Sequence, residues 1–245
     1  MDRIYKIFVQ KLLGRQPANI LGIDIGSSSI KIAHIAFSGD TPLLLKAGII
    51  DLPLTDADID SATIASRLRQ FLGLNGLADG QAVAAISSKD VYLQQTVLPQ
   101  MPVAELKEAI KWEVEKYIPQ AIDNYYFDFA ALDTTSNPLQ VKGLIVAARR
   151  QAVDNLVALI KGAGLRPVAV EIEPVVWQRT CKEVKNALVV DIGGRITQIT
   201  LLQGGCPVVS RAIDLGGYTF TQVIASVLDL PYAEAERLKQ RQPGL

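Results

Sequence analysis

The chain of 245 residues is 49% hydrophobic and 20% charged, enough apolar surface to pack one large or two modest domains. Lys plus Arg number 25 and Asp plus Glu also 25, so no net field holds a nucleic acid or a membrane by charge, and nucleic acid is a poor expectation. The two cysteines, Cys181 and Cys206, lie far apart without zinc-type spacing, which excludes a disulfide framework and a metal cluster and makes a reducing cytoplasm the simplest compartment. No apolar run approaches the roughly 20 residues of a bilayer span, and no signal-peptide pattern opens the chain.

Residues 1–18 read as a lead-in helix: Ile4, Ile7, Phe8 and Leu12 recur at helical spacing, with Arg3, Lys6, Lys11 and Arg15 around them. A helix packed on the body is the first reading and a weak membrane-surface helix the second. From Asn19 the pattern turns to strands at 20–25, 30–37 and 43–52, separated by turn residues, which predicts an antiparallel meander. A helix at 61–72, strands at 81–87 and 91–98, and a helix entered through Pro102 and ending before Pro119 follow. Strands at 125–132 and 139–147, a helix at 151–163 stopped by Gly164 and a strand at 166–172 complete this stretch. Then the opening pattern recurs as strands at 187–192, 196–203 and 207–215 and a helix at 217–228.

The recurrence predicts a site. Leu21–Lys31 (LGIDIGSSSIK) and Val189–Thr197 (VVDIGGRIT) each place Asp-Ile-Gly at the end of an apolar strand, followed by a small-residue turn and a second strand. A turn with little side-chain bulk presents backbone N–H groups to phosphate oxygens. An aspartate at the strand end orients the waters that Mg²⁺ keeps when it binds through few carboxylates. The residues nominated are Asp24 and Asp191 on the metal side, through water, with Gly26, Ser27, Ser28, Ser29 and Lys31 in the first loop and Gly193, Gly194 and Thr197 in the second. A single Asp-Ile-Gly is an ordinary strand end; two copies in a repeat point to one cleft.

DIGSSSIK resembles the first phosphate motif of the actin, sugar-kinase and heat-shock-chaperone superfamily, and DIGGRIT resembles its second. The wider pattern is similar to the PilM family of type IV pilus assembly proteins and to its relative FtsA. The resemblance implies an α/β, actin-like ATPase fold of two ribonuclease-H-like halves, with a small α/β subdomain inserted in the first half and ATP and Mg²⁺ held between the halves. In those terms residues 19–185 form the first half, about 53–135 the inserted partner-binding subdomain, and 186–245 the start of a second half expected to be incomplete. The resemblance also implies that Glu173, in Glu-Pro, orients attacking water; as a residue pattern it is equally an acidic first turn of a helix. Gly216 and Gly217 match the glycine pair at which a nucleotide approaches a helix start, with Thr221 at the threonine position after it, and Glu236 and Lys239 match the Ala-Glu-x-x-Lys helix beside the adenosine.

The segment 98–129 (LPQMPVAELKEAIKWEVEKYIPQAIDNYYFDF) is similar to the family's helix, Tyr-Ile-Pro and acidic strand, which in the resemblance serve protein contacts. Val103, Leu106, Ile110, Val114 and Tyr117 form one apolar stripe, while Trp112 falls among charges on the opposite side and is a candidate partner contact. The expected function is a cytoplasmic ATP-binding scaffold, a slow ATPase at most. It docks the tail of a PilN-like inner-membrane protein, contacts other pilus or secretion inner-membrane platform proteins, and meets the membrane only through partners. The cytoplasmic part of a GspL-like type II secretion protein is the alternative, and a small-molecule kinase, which would need a substrate-cleft aspartate, comes third.

Overall fold

A computed structural model describes residues 19–39, 41–53, 59–132, 137, 139–181 and 183–241; the expected lead-in helix at 1–18 lies outside them. The elements follow in order as β1 (Asn19–Ile25), β2 (Ser29–Ser38), β3 (Thr41–Asp51), α1 (Ser61–Leu74), β4 (Gln81–Ile86), β5 (Val91–Pro99), α2 (Val103–Glu115), β6 (Tyr125–Leu132) and β7 (Gln140–Arg149). After them come α3 (Arg150–Gly162), β8 (Arg166–Ile172), α4 (Glu173–Thr180), β9 (Ala187–Ile192), β10 (Thr197–Gln203), β11 (Cys206–Ile213), α5 (Gly217–Leu228) and α6 (Tyr232–Arg241).

Three strands of the first half form the meander that alternation predicts, with β1 and β3 each antiparallel to β2. β4 then lies parallel to β1, and β8 parallel to β4, giving the order β3-β2-β1-β4-β8. A parallel neighbour requires a crossover, which α1 supplies between β3 and β4. Asp60 caps α1 by accepting the Thr63 N–H at 2.9 Å. The crossover from β4 to β8 contains a whole second sheet, β5-β7-β6, before α3 returns the chain. Gly164, at φ +86°, makes the left-handed turn that ends α3.

Leu21, Ile23, Ile30 and Ile32 of the meander are buried against Leu68 and Leu72 of α1 and Leu159 and Ile160 of α3. Each such burial contributes about 1.5–3 kcal/mol. The inserted sheet has two apolar faces. One packs Tyr125 and Ile145 under Ile110 and Val114 of α2. The other joins Leu93, Leu144 and Val146 to Ile86 and Ile172, at the ends of β4 and β8, fastening the insertion to the first sheet.

The stripe on α2 needs one correction. Ile110 and Val114 are buried and Leu106 packs beside them, but α2 ends at Glu115, so Tyr117 lies past its last turn and is 43% exposed. The Val103 side chain lies outside those described. Trp112 is 68% exposed on the opposite side, as the helical period predicts.

In the second half β9, β10 and β11 repeat the antiparallel meander in the order β11-β10-β9. Leu188, Val190 and Ile192 along β9 are exposed, as are Val223 and Val227 of α5. β11 lies beside β5 of the inserted sheet: Gln95 Nε2 donates to the Pro207 carbonyl at 3.2 Å, and Lys89 Nζ pairs with Asp214 Oδ1 at 2.8 Å.

Candidate nucleotide site and partner cleft

The two Asp-Ile-Gly turns close identically. Gly26 N–H donates to the Ser29 carbonyl at 2.9 Å, and Gly193 N–H to the Ile196 carbonyl at 3.0 Å. The turns face each other across the gap between the halves. A β-carbon on Gly194 would lie 2.7 Å from Ser27 Oγ and 3.2 Å from the Ser28 side chain. The repeat therefore does what its sequence predicts and brings its two copies to one place.

The start of α5 builds the third wall. Gly217 N–H donates to the Gly193 carbonyl at 2.9 Å, and Tyr218 N–H to the Gly194 carbonyl at 2.7 Å. Thr197 Oγ1 donates to the Leu215 carbonyl at 2.6 Å, and the Thr197 side chain is thus spent on the loop before α5. Only glycine fits at 216, where a β-carbon would meet the Gly193 carbonyl oxygen at 2.6 Å and the Arg195 backbone at 2.8 Å.

Lys31 and Asp24 are cross-strand neighbours in the β1–β2 register, and Lys31 Nζ donates to Asp24 Oδ2 at 3.0 Å. That hydrogen bond is the main reason the Lys31 ammonium is held above its usual range. Its burial works the other way, and the fields of Asp24, Asp191 and Glu173 add to the rise. Three nominated carboxylates, from β1, β9 and the first turn of α4, thus act on one ammonium. Among the described residues no three His, Cys, Asp or Glu side chains approach closely enough to cage a metal by themselves.

Glu236 and Lys239, one turn apart on α6, bind each other at 2.7 Å and grip α5. Lys239 Nζ donates to the Gly217 carbonyl at 2.9 Å and to Thr221 Oγ1 at 2.7 Å; Thr221 Oγ1 also contacts the Glu236 carboxylate. Burial pushes the Glu236 carboxyl up, but hydrogen bonds from Lys239, Thr221 and Gln240 outweigh it and leave the group below the usual carboxylate range. Their shared helix face is as expected; the buried Thr221 that joins them is what the tertiary structure adds.

A second concavity of about 370 Å³ opens on the inserted subdomain. Val91–Gln94 of β5, Val114 of α2, and Tyr117 and Ile118 form one side, and Ser210–Ala212 of β11 form the other. Tyr117 and Ile118 belong to the Tyr-Ile-Pro segment, whereas Trp112 is not among the lining residues.

Residues 22–243 match the family model of type IV pilus assembly protein PilM. The chain belongs to the PilM family. It superposes on a chain of a PilM-PilN type IV pilus biogenesis complex with a TM-score of 0.77 and 31% identity, covering 91% of this chain and 70% of that one. Cell division protein FtsA of Bacillus subtilis is 26% identical over 90% of this chain, which spans 57% of that relative's length. The cytoplasmic domain of EpsL, an inner-membrane component of the type II secretion system of Vibrio cholerae, shares the fold at a TM-score of 0.54 and 12% identity, over 87% of this chain and 77% of that one. The fold is that of the actin-like ATPases. No helix among the described residues is long and apolar enough to cross a membrane.

The residues of this PilM-family chain fit a nucleotide: two small-residue turns and a glycine-started helix converge, with a lysine and three acidic groups beside them. Sequence reasoning missed two neighbours of the site. Arg195, at the tip of the second turn, lines a hollow of about 250 Å³ with Gly26 and Ser27, and its guanidinium lies 5.0 Å from the Tyr218 ring centre. Its position, matching Ser28 in the repeat, was the available signal. Glu171, on β8 two residues before the nominated Glu173, is buried and held by the two terminal guanidinium nitrogens of Arg179, at 3.0 and 2.5 Å. Nothing in local periodicity announced that pair.

Proposed function

We propose that the chain is a cytoplasmic ATP-binding scaffold of type IV pilus assembly, which docks the cytoplasmic tail of a PilN-like inner-membrane protein and reaches the membrane and other platform proteins only through partners. The observation that carries the reading is the meeting of the two Asp-Ile-Gly turns. In it Gly26–Ser29 and Gly193–Gly194 cradle phosphates and Gly216–Gly217 admit the nucleotide at the start of α5. Asp24 and Asp191 orient the waters of Mg²⁺, which neutralises phosphate charge when bound. Lys31, which donates to Asp24, adds positive charge for the phosphates. Glu236 and Lys239 flank the adenosine, and Glu173 is positioned to orient water for slow hydrolysis.

The tail is assigned to the cleft between β5 and β11, whose apolar floor and polar rim suit an extended peptide. Trp112, exposed on the far side of α2, is a separate contact for a platform protein. Identity of 31% to a chain of the PilM-PilN complex, against 12% to EpsL, favours the pilus machine over type II secretion.

Titration with a fluorescent ATP analogue and Mg²⁺ tests the site. Micromolar binding in the parent, lost in both Asp24→Ala and Asp191→Ala, is expected. Binding that survives either substitution would remove that aspartate from the site.

A further inference from the structure

The candidate nucleotide site is rich in acid. Asp24, Asp191 and Glu173 all act on one ammonium, Lys31, which donates to Asp24 at 3.0 Å. The lysine on α6, Lys239, is paired with Glu236 at 2.7 Å. Mg²⁺ offsets carboxylates, but each further phosphoryl group on a nucleotide brings negative charge that an additional cation stabilises.

Arg195 stands where such a cation is useful. It follows Gly194, whose added β-carbon would touch Ser27 and Ser28 of the first turn. In the first repeat its place is taken by Ser28, so the two turns carry this charge on one side only. Arg195 lines the hollow of about 250 Å³ with Gly26 and Ser27, and Leu52, Pro53 and Ile64 are among the apolar walls. Apolar walls thin the water around a guanidinium and strengthen its hydrogen bonds to an anion.

Two contacts hold the residue in place. Its backbone is wedged against the start of α5, where a β-carbon on Gly216 would lie 2.8 Å from the Arg195 nitrogen and carbonyl carbon. Its guanidinium lies 5.0 Å from the centre of the Tyr218 ring. That ring is fixed in turn: the Tyr218 N–H donates to the Gly194 carbonyl at 2.7 Å, and the Tyr232 ring of α6 stands 5.3 Å away. A ring face orients a guanidinium without neutralising it, as a carboxylate does an ammonium.

Resting on the ATP-site reading above, we propose that Arg195 is the specificity-determining cation for the terminal phosphoryl group, favouring a nucleoside triphosphate over the diphosphate. In that reading the adenosine lies beside Glu236 and Lys239 and enters at Gly216–Gly217. The hollow is bounded instead by the first turn, by Leu52 just after β3 and by Ile64 of α1. A phosphate chain that runs from α5 towards the first turn therefore meets Arg195 with its far end. There the planar fork of the guanidinium matches the oxygens of a terminal phosphoryl group.

The test is calorimetric titration of the whole chain with AMPPNP and, separately, with ADP, both in saturating Mg²⁺. In Arg195→Met the affinity for AMPPNP is expected to fall about tenfold more than the affinity for ADP. Arg195→Lys, which keeps the charge but loses the fork, is expected to fall between Arg195→Met and the parent. ADP serves as the control for folding, since a damaged site loses both ligands alike. Equal losses for AMPPNP and ADP, or no loss for either, would overturn the assignment of Arg195 while the ATP site stands. A parent that binds neither nucleotide would overturn the ATP reading and this assignment with it.

Discussion

Gly194 meets Ser27 across the gap between the halves, and the added β-carbon at 194 would find side-chain atoms rather than backbone, at 2.7 Å from Ser27 Oγ and 3.2 Å from Ser28. Serine side chains can rotate away, so Gly194→Ala is expected to fold normally, with thermal stability within about 0.5 kcal/mol of the parent. On the proposed reading, the methyl group nevertheless occupies the gap that phosphate enters. ATP-analogue affinity is expected to fall about tenfold, equivalent to about 1.4 kcal/mol, as read by fluorescence titration.

Gly216 gives the opposite result. Its nearest atoms are the Gly193 carbonyl oxygen and the Arg195 backbone, which cannot rotate aside. Gly216→Ala is expected to destabilise the chain by about 1–3 kcal/mol through overpacking, measured by urea unfolding, besides weakening nucleotide binding.

Glu171 and Arg179 make a pair whose carboxylate is buried while the guanidinium keeps some solvent contact, with 6% and 25% of the side chains accessible. Arg179→Met leaves that carboxylate without its two charged donors and is expected to cost about 2–4 kcal/mol in chemical unfolding. Replacing both residues, as Glu171→Met with Arg179→Met, is expected to recover part of the loss, because no buried charge is then stranded.

The α5–α6 junction confers a pH dependence. Glu236 is held below its ordinary value of 4.5 in the folded chain, so its stabilising share is present above that value and disappears as pH falls through the lower, folded one. The parent is expected to be more stable than Glu236→Gln at neutral pH, with the difference shrinking as urea unfolding is repeated at successively lower pH below 4.5.

Trp112 is a surface probe. Trp112→Ala is expected to leave stability within about 0.5 kcal/mol, because the side chain is 68% exposed. Of the two tryptophans, Trp177 is only half-buried but stands on α4, so a blue shift lost in Trp112→Ala reports a partner on the outer face of α2.

Much of the fold was legible because its signals are local. Alternation marked both meanders; the strands at 125–132 and 187–192 and the helix at 217–228 begin and end as their turn residues predict. The helical period also placed Trp112 outside and Ile110 and Val114 inside. It failed at Tyr117, since periodicity extends an apolar stripe without knowing that the helix stops at Glu115. Past Glu115, Ile118 packs against the cluster under α2 and lines the cleft together with Tyr117.

By itself, the sequence determined that two Asp-Ile-Gly turns exist, each between an apolar strand and a second strand, and that their repetition implies a shared cleft. Those properties belong to stretches of a few residues, where backbone sterics and hydrogen bonding decide the outcome. Only the tertiary structure decided how far the turns approach, that Asp191 and Glu173 act with Asp24 on Lys31, that β11 forms one side of the cleft facing β5, and that Lys89 finds Asp214, 125 residues away. Such pairings depend on which faces of distant sheets pack together, and that choice is made by the whole core rather than by any segment of it.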